Sequence, residues 1–100
     1  MAKLIRSSEY FLDLQQIATF LEETGTPGSS ILRTINEIEN TVQKLSEYPE
    51  LGNPFPFRII ETTYRHLIVG KYVVFYYLEN ENVCVDRVFD TRMDYISLLL

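Results

Sequence analysis

Apolar residues recur at helical spacing in the first half of the chain and at strand spacing in the second. Tyr10, Leu14, Ile17, Ala18 and Leu21 fall on one face of a helix, with Asp13, Gln15, Gln16 and Glu22 assigned to the others. Ser7 or Ser8 offers the capping hydroxyl at its start. Thr24-Gly25 ends it, because glycine readily takes the left-handed conformation past a helix end. Ahead of it, Lys3 to Arg6 reads as a short strand. Thr26 and Pro27 read as the cap and first residue of a second helix. Along it Ile31, Ile35, Ile38, Val42 and Leu45 form a stripe suited to packing on a neighbouring helix. Tyr48-Pro49 stops that helix, and the short link between the two predicts an antiparallel hairpin.

Residues 49–56, PELGNPFP, read as a rigid connector that is neither helix nor central strand. Beyond it Phe57 to Glu61 and Tyr64 to Val69 read as strands, with Gly70-Lys71 as a tight turn. Tyr72 to Leu78 is apolar throughout, the pattern of a strand buried on both faces. After a turn at Glu79 to Asn82, alternation sends Val83, Val85, Arg87 and Phe89 one way and Cys84, Asp86 and Val88 the other. Thr91 with Asp94 resembles a capping box opening a short last helix that carries Tyr95, Ile96, Leu98, Leu99 and Leu100. The order β-α-α-β-β-β-α predicts one α+β domain over residues 1–100, an antiparallel meander sheet packed against a helical hairpin.

Composition narrows the class. With 46% hydrophobic residues and thirteen aromatics, the chain is rich enough for a core. No run approaches the ~20 apolar residues that span a bilayer, and Met1 to Arg6 is too short and polar for a secretory signal, so a cytoplasmic protein is expected. Cys84 is the only cysteine, which excludes an internal disulfide. The net charge of −5 argues against a general nucleic-acid binder. Five of the basic residues, Arg58, Arg65, Lys71, Arg87 and Arg92, nonetheless lie in the second half.

Candidate chemistry is sparse. His66 is solitary and reads as a packed strand residue, and no His or Cys pair stands at metal-ligand spacing. Cys84 reads as a small buried hydrophobe and Asp94 as a helix cap. No Gly-rich phosphate loop occurs, and no cofactor is expected. Arg65 either meets a target or pairs with Asp86 or Glu61 across the sheet. Arg92, at the start of a helix, opposes the local dipole and is freer for a binding role. Of Tyr72, Phe75, Tyr76 and Tyr77, at most about half share one face, and core packing is the expected use of that set.

Three segments resemble the RelE/ParE family of toxins from type II toxin–antitoxin systems. They are Ser8 with Asp13-Leu14, YPELGNP at 48–54, and YRHLIVGKYVVFYYL at 64–78 continued by VDRVFDTRMD at 85–94. The last stretch follows the ParE-like pattern more closely, although Asp90 stands where many such members have histidine. The resemblance implies growth inhibition by binding a target, DNA gyrase in the ParE-like mode, and a role in plasmid stabilization. It also implies a cognate antitoxin, in a hetero-oligomeric complex that reaches operator DNA through the antitoxin. Target contact would fall to Arg65, Lys71, Arg87 and Arg92. The alternatives are a RelE-like, ribosome-dependent endoribonuclease with Arg65, Arg92 and Tyr95 as its catalytic set, and a degenerate member that only binds antitoxin. In either toxic mode the arginines of the C-terminal half are expected to converge on one exposed face of the sheet.

Overall fold

A computed structural model describes residues 2–100. Strand β1 (Lys3–Arg6) leads into helix α1 (Ser8–Glu23), helix α2 (Gly28–Gln43) and a 3-10 turn over Lys44–Ser46. Strands β2 (Asn53–Ile59), β3 (Thr62–Val69), β4 (Tyr72–Glu79) and β5 (Asn82–Asp90) follow, and α3 (Tyr95–Leu99) closes the chain. The sheet order is β1-β5-β4-β3-β2. β2 to β5 form the expected antiparallel meander, while β1 adds to β5 in parallel. The fold class stands as the pattern predicts it.

Local chemistry explains most boundaries. Ser7 caps α1, its hydroxyl accepting from the Tyr10 amide at 3.0 Å and donating to the Asp86 carbonyl at 2.6 Å, so one side chain starts the helix and ties it to β5. Gly25, at φ +85°, ends α1. α2 starts one residue later than expected, with Pro27 as its cap and Gly28 as its first residue. The connector is shorter than expected too, because β2 begins at Asn53. Its Pro54 and Pro56 are tolerated because β2 is an edge strand. The loop before β2 is pinned by Tyr76, whose hydroxyl accepts from the Gly52 amide at 2.9 Å and donates to the Pro49 carbonyl at 2.8 Å. A Cβ on Gly52 would lie 2.6 Å from the His66 carbonyl oxygen, so only glycine fits there.

The sheet is covered on both faces. Tyr10, Leu14, Ile38, Val42 and Leu45 of the hairpin pack on Val74, Tyr76, Val83, Val85 and Val88. On the opposite face Ile59, Tyr64, Val73, Phe75 and Phe89 form a second cluster, closed by Phe55, Tyr77, Tyr95, Leu98 and Leu99. Val73 to Tyr76 are fully buried, as their unbroken apolar run predicts for a central strand.

Alternation along β5 is broken. Phe75 pairs with Arg87 but Tyr76 pairs with Val85, so Asp86 is an extra residue at a β-bulge. Val88 therefore joins Val83 and Val85 on the hairpin side, and Phe89 faces the other way. The four-residue set expected to share one face is split by that insertion. α3 is also shorter than expected. Asp94, not Thr91, is its cap, which leaves Arg92 in the turn ahead of the helix.

Asp13 overturns its sequence assignment to an outward face. Its spacing from Tyr10, Leu14 and Ile17 places it within the apolar stripe, and it is 5% exposed. Its partner is Arg87, on the edge of β5 beyond the reach of β1. Asp13 Oδ2 accepts from Arg87 Nε at 2.8 Å, and Oδ1 accepts from the guanidinium Nη2 at 2.9 Å. Oδ2 also accepts from the Val88 amide at 3.0 Å, and Arg87 Nη1 donates to the Leu98 carbonyl at 3.1 Å. The guanidinium carbon lies 4.7 Å from the centre of the Phe89 ring. One ion pair thus joins α1, β5 and α3.

Replacing Asp13 with alanine leaves Arg87 without its carboxylate and the Val88 amide without its acceptor; a loss of about 3–5 kcal/mol is expected in denaturant unfolding, and a change below about 1 kcal/mol would show the pair to be incidental. Ile60, an exposed β-branched residue held at φ +55° in the β2–β3 turn, stores strain of about 1 kcal/mol. Ile60→Asn should raise the unfolding midpoint, and an unchanged or lower midpoint would contradict that strain.

Candidate functional site

Each basic residue singled out by its place in the sequence has its own surroundings. Arg65 points to the hairpin side of β3, since it pairs with Tyr76. Its guanidinium donates to the carbonyls of Gly52 at 2.7 Å and Glu50 at 3.2 Å. Neither expected carboxylate meets it. Asp86 takes the Tyr64 hydroxyl, and Glu61 pairs with Arg58 across the β2–β3 turn. Arg87 is occupied as described above, and its pKa is raised chiefly by hydrogen bonding to Asp13. Arg92 is largely exposed and binds Asp90 through two bonds of 3.0 Å. That contact holds the Asp90 carboxyl below its usual range. Lys71 is exposed in the β3–β4 turn, and its carbonyl accepts from the Thr91 amide at 2.9 Å, which brings it beside Asp90 and Arg92.

The structure therefore brings Lys71 and Arg92 together and leaves Arg65 on the other face. The expected convergence of the C-terminal arginines is only partial: Arg87 and Arg92 line one concavity, whereas Arg58 and Arg65 do not. Internal partners engage Arg58, Arg65, Arg87 and Arg92 separately. Tyr95 packs between Phe75, at 5.2 Å, and Phe89, at 6.4 Å, on the face opposite Arg65. Its hydroxyl donates to the Thr91 carbonyl, and burial followed by the charge of Asp90 raises its pKa. His66 is packed, as expected, with its ring 5.6 Å from Phe55 edge-on and stacked 6.2 Å from Phe75. Cys84 is half-buried next to Tyr77 and less enclosed than its pattern predicts. Among the described residues no group of three or more His, Cys, Asp or Glu side chains is placed to hold a metal ion. No described helix is long and apolar enough to cross a membrane.

A concavity of about 520 Å³ lies between α1 and the C-terminal segment. It is lined by Ile17 and Phe20 of α1, Val88 and Phe89 of β5, and Met93 and Leu98 of the C-terminal segment. Arg87 and Asp13 sit at its base, and Asp90 and Arg92 at its rim. Sequence reading missed this site because Phe20 and Met93 belong to no periodic stripe. Asp13 was the available signal: a carboxylate at a core-facing position of a helix requires a cationic partner.

A family model described as "ParE toxin of type II toxin-antitoxin system, parDE" matches residues 6–95. Among solved structures, a chain of the chromosomal ParDE toxin–antitoxin system from P. aeruginosa is similar, at 16% identity and a TM-score of 0.74, with 90% of this chain and 96% of that chain covered. A conserved hypothetical protein from Helicobacter pylori, known from its solution structure, is similar at 12% identity and a TM-score of 0.51, with 91% and 96% covered. No curated protein matches the sequence. At these identities the structures speak for the fold alone, whereas the family model spans most of the chain: this protein belongs to the ParE toxin family of type II toxin–antitoxin systems.

Proposed function

We propose that this toxin arrests growth by gripping a protein target in the cytoplasm, with DNA gyrase as the target its ParE-like pattern implies. A cognate antitoxin silences it by covering the gripping surface, and the hetero-oligomeric complex reaches operator DNA through the antitoxin. The observation that carries binding over cutting is the separation of Arg65 from Tyr95 on opposite faces of the sheet. In-line attack by a ribose hydroxyl needs base, acid and cation around one phosphate. Here the arginine is bonded to loop carbonyls, and the tyrosine is held to a backbone carbonyl with its pKa raised, which lowers the phenolate fraction at neutral pH. The net charge of −5 adds a long-range penalty to seating among ribosomal phosphates.

On this reading the outward cations, Lys71 and Arg92, contact the target, while Arg65 and Arg87 shape the fold that presents them. Induced expression should halt growth, leave transcripts intact and lower DNA supercoiling. With purified gyrase, the double change Lys71→Glu and Arg92→Glu should weaken inhibition by roughly tenfold or more, the scale of losing a contact of about 1.4 kcal/mol. Codon-linked cuts in translated mRNA, abolished by Arg65→Ala, would overturn the proposal in favour of the endoribonuclease. Harmless expression with tight antitoxin binding would overturn it in favour of a degenerate member.

A further inference from the structure

The sheet face turned away from the hairpin is covered unevenly. Tyr95, Leu98 and Leu99 close over Phe75 and Phe89, but α3 is only five residues long. Along β2 and β3 the same face stays largely open. Alternation from Ile59 and Tyr64, both in the cluster on that face, assigns Phe55 and Phe57 of β2 and His66 and Ile68 of β3 to it. The rings agree, with Phe55 lying 5.7 Å from Phe57 and 5.6 Å from His66. Phe57 is 54% exposed and Ile68 is 56% exposed.

A sheet face turned to water ordinarily carries polar residues at alternate positions. Here every second residue from Asn53 to Ile59, and from Thr62 to Ile68, is something other than Asp, Glu, Lys or Arg. Large apolar side chains grouped in the open mark an interaction surface. The neighbouring edge is closed to strand addition, because Pro54 and Pro56 of edge strand β2 lack the amide hydrogens that a further strand would need. An occupant must therefore seat on the face through side chains.

Charge selects that occupant. At one end of the strip Arg58 and Glu61 neutralise each other across the β2–β3 turn. At the other end, just past Ile68, exposed Lys71 stands beside Arg92, whose side chain is 82% exposed while that of its partner Asp90 is 24% exposed. The strip is thus bordered by positive charge on a chain whose net charge is −5. A second copy docked through the same strip would set these cations against themselves, because a two-fold interface places each patch on its own image. An acidic protein surface meets them with opposite sign.

We propose that this face of β2 and β3 is the surface with which the toxin grips its target. Phe57 and Ile68 seat in an apolar depression of a protein surface, and carboxylates on the rim of that depression meet Lys71 and Arg92. The inference rests on the target-binding reading above and adds to it the apolar half of the contact and the chemistry of the surface gripped. The exposed Arg92–Asp90 pair is weak, so Arg92 is free to exchange its partner for a carboxylate of the target.

The test is a supercoiling assay with purified DNA gyrase and the full chain. Phe57→Thr and Ile68→Thr keep a residue that favours strands, and each should raise the concentration for half-inhibition by roughly tenfold or more, as loss of a central apolar anchor does. Leu32→Gln, at an equally exposed apolar position on α2, should leave it unchanged. Hydroxyl-radical footprinting of the unaltered chain supplies a readout independent of how the variants fold: gyrase should protect Phe57 and Ile68 and leave Leu32 open. Unchanged inhibition by both strand variants, with Phe57 and Ile68 unprotected, would overturn the surface while leaving gyrase as the target. An unaltered chain that leaves gyrase uninhibited would overturn the target reading and the surface with it. Self-association of the free chain that disappears in Ile68→Thr would show the occupant to be a second copy and would equally overturn the proposal.

Discussion

The ion pair between Asp13 and Arg87 is the constraint on which the architecture turns. Burying a carboxylate under a helix is costly unless every lone pair finds a donor, and Asp13 finds three, two from the guanidinium and one from the Val88 amide. The last of these also stops β5 from offering a bare edge where β1 ends. Because the guanidinium reaches on to the Leu98 carbonyl, the same interaction sets where α3 lies, and with it the concavity that Leu98 and Phe20 both line. The bulge at Asp86 is part of the same device, since it lets Arg87 sit at the edge while Val85 and Val88 both stay in the core.

This arrangement changes what the charge distribution means. A cluster of arginines in the C-terminal half suggests a cationic face, yet most of those guanidinium groups hold the molecule together. Arg87 ties layers, Arg65 ties the loop before β2, and Arg58 and Arg92 bridge turns. Arg6 does similar work on the hairpin, where it and the Tyr10 hydroxyl share Glu39. Of the basic residues in the C-terminal half, those left to a partner are Lys71 and Arg92, at the β3–β4 turn and just past the end of β5.

Much of the fold was legible because it rests on periodicity. The apolar run of β4, the stripe of α1 and the glycine turns map to elements within a residue or two, whereas α2 ends at Gln43 and gives way to a 3-10 turn that holds Leu45, several residues before Tyr48-Pro49. Two kinds of information were hidden. The bulge in β5 inserts a residue with no compositional mark, so strict alternation misassigned Arg87, Val88 and Phe89. Partner choice is three-dimensional: Arg65 missed Asp86 because the pleat puts them on opposite faces. Asp13 was readable in principle, from its spacing within the stripe, but its polarity argued for an outward face and the polarity won.

The most direct test of this account is native-state hydrogen exchange at the Val88 amide. If the Asp13–Arg87 pair joins hairpin, sheet and C-terminal helix as one cooperative unit, that proton exchanges only through global unfolding, with the same protection as the amides of Val74 and Val85 in the core. Exchange far faster than those two, by local opening of the β5 edge, would contradict it.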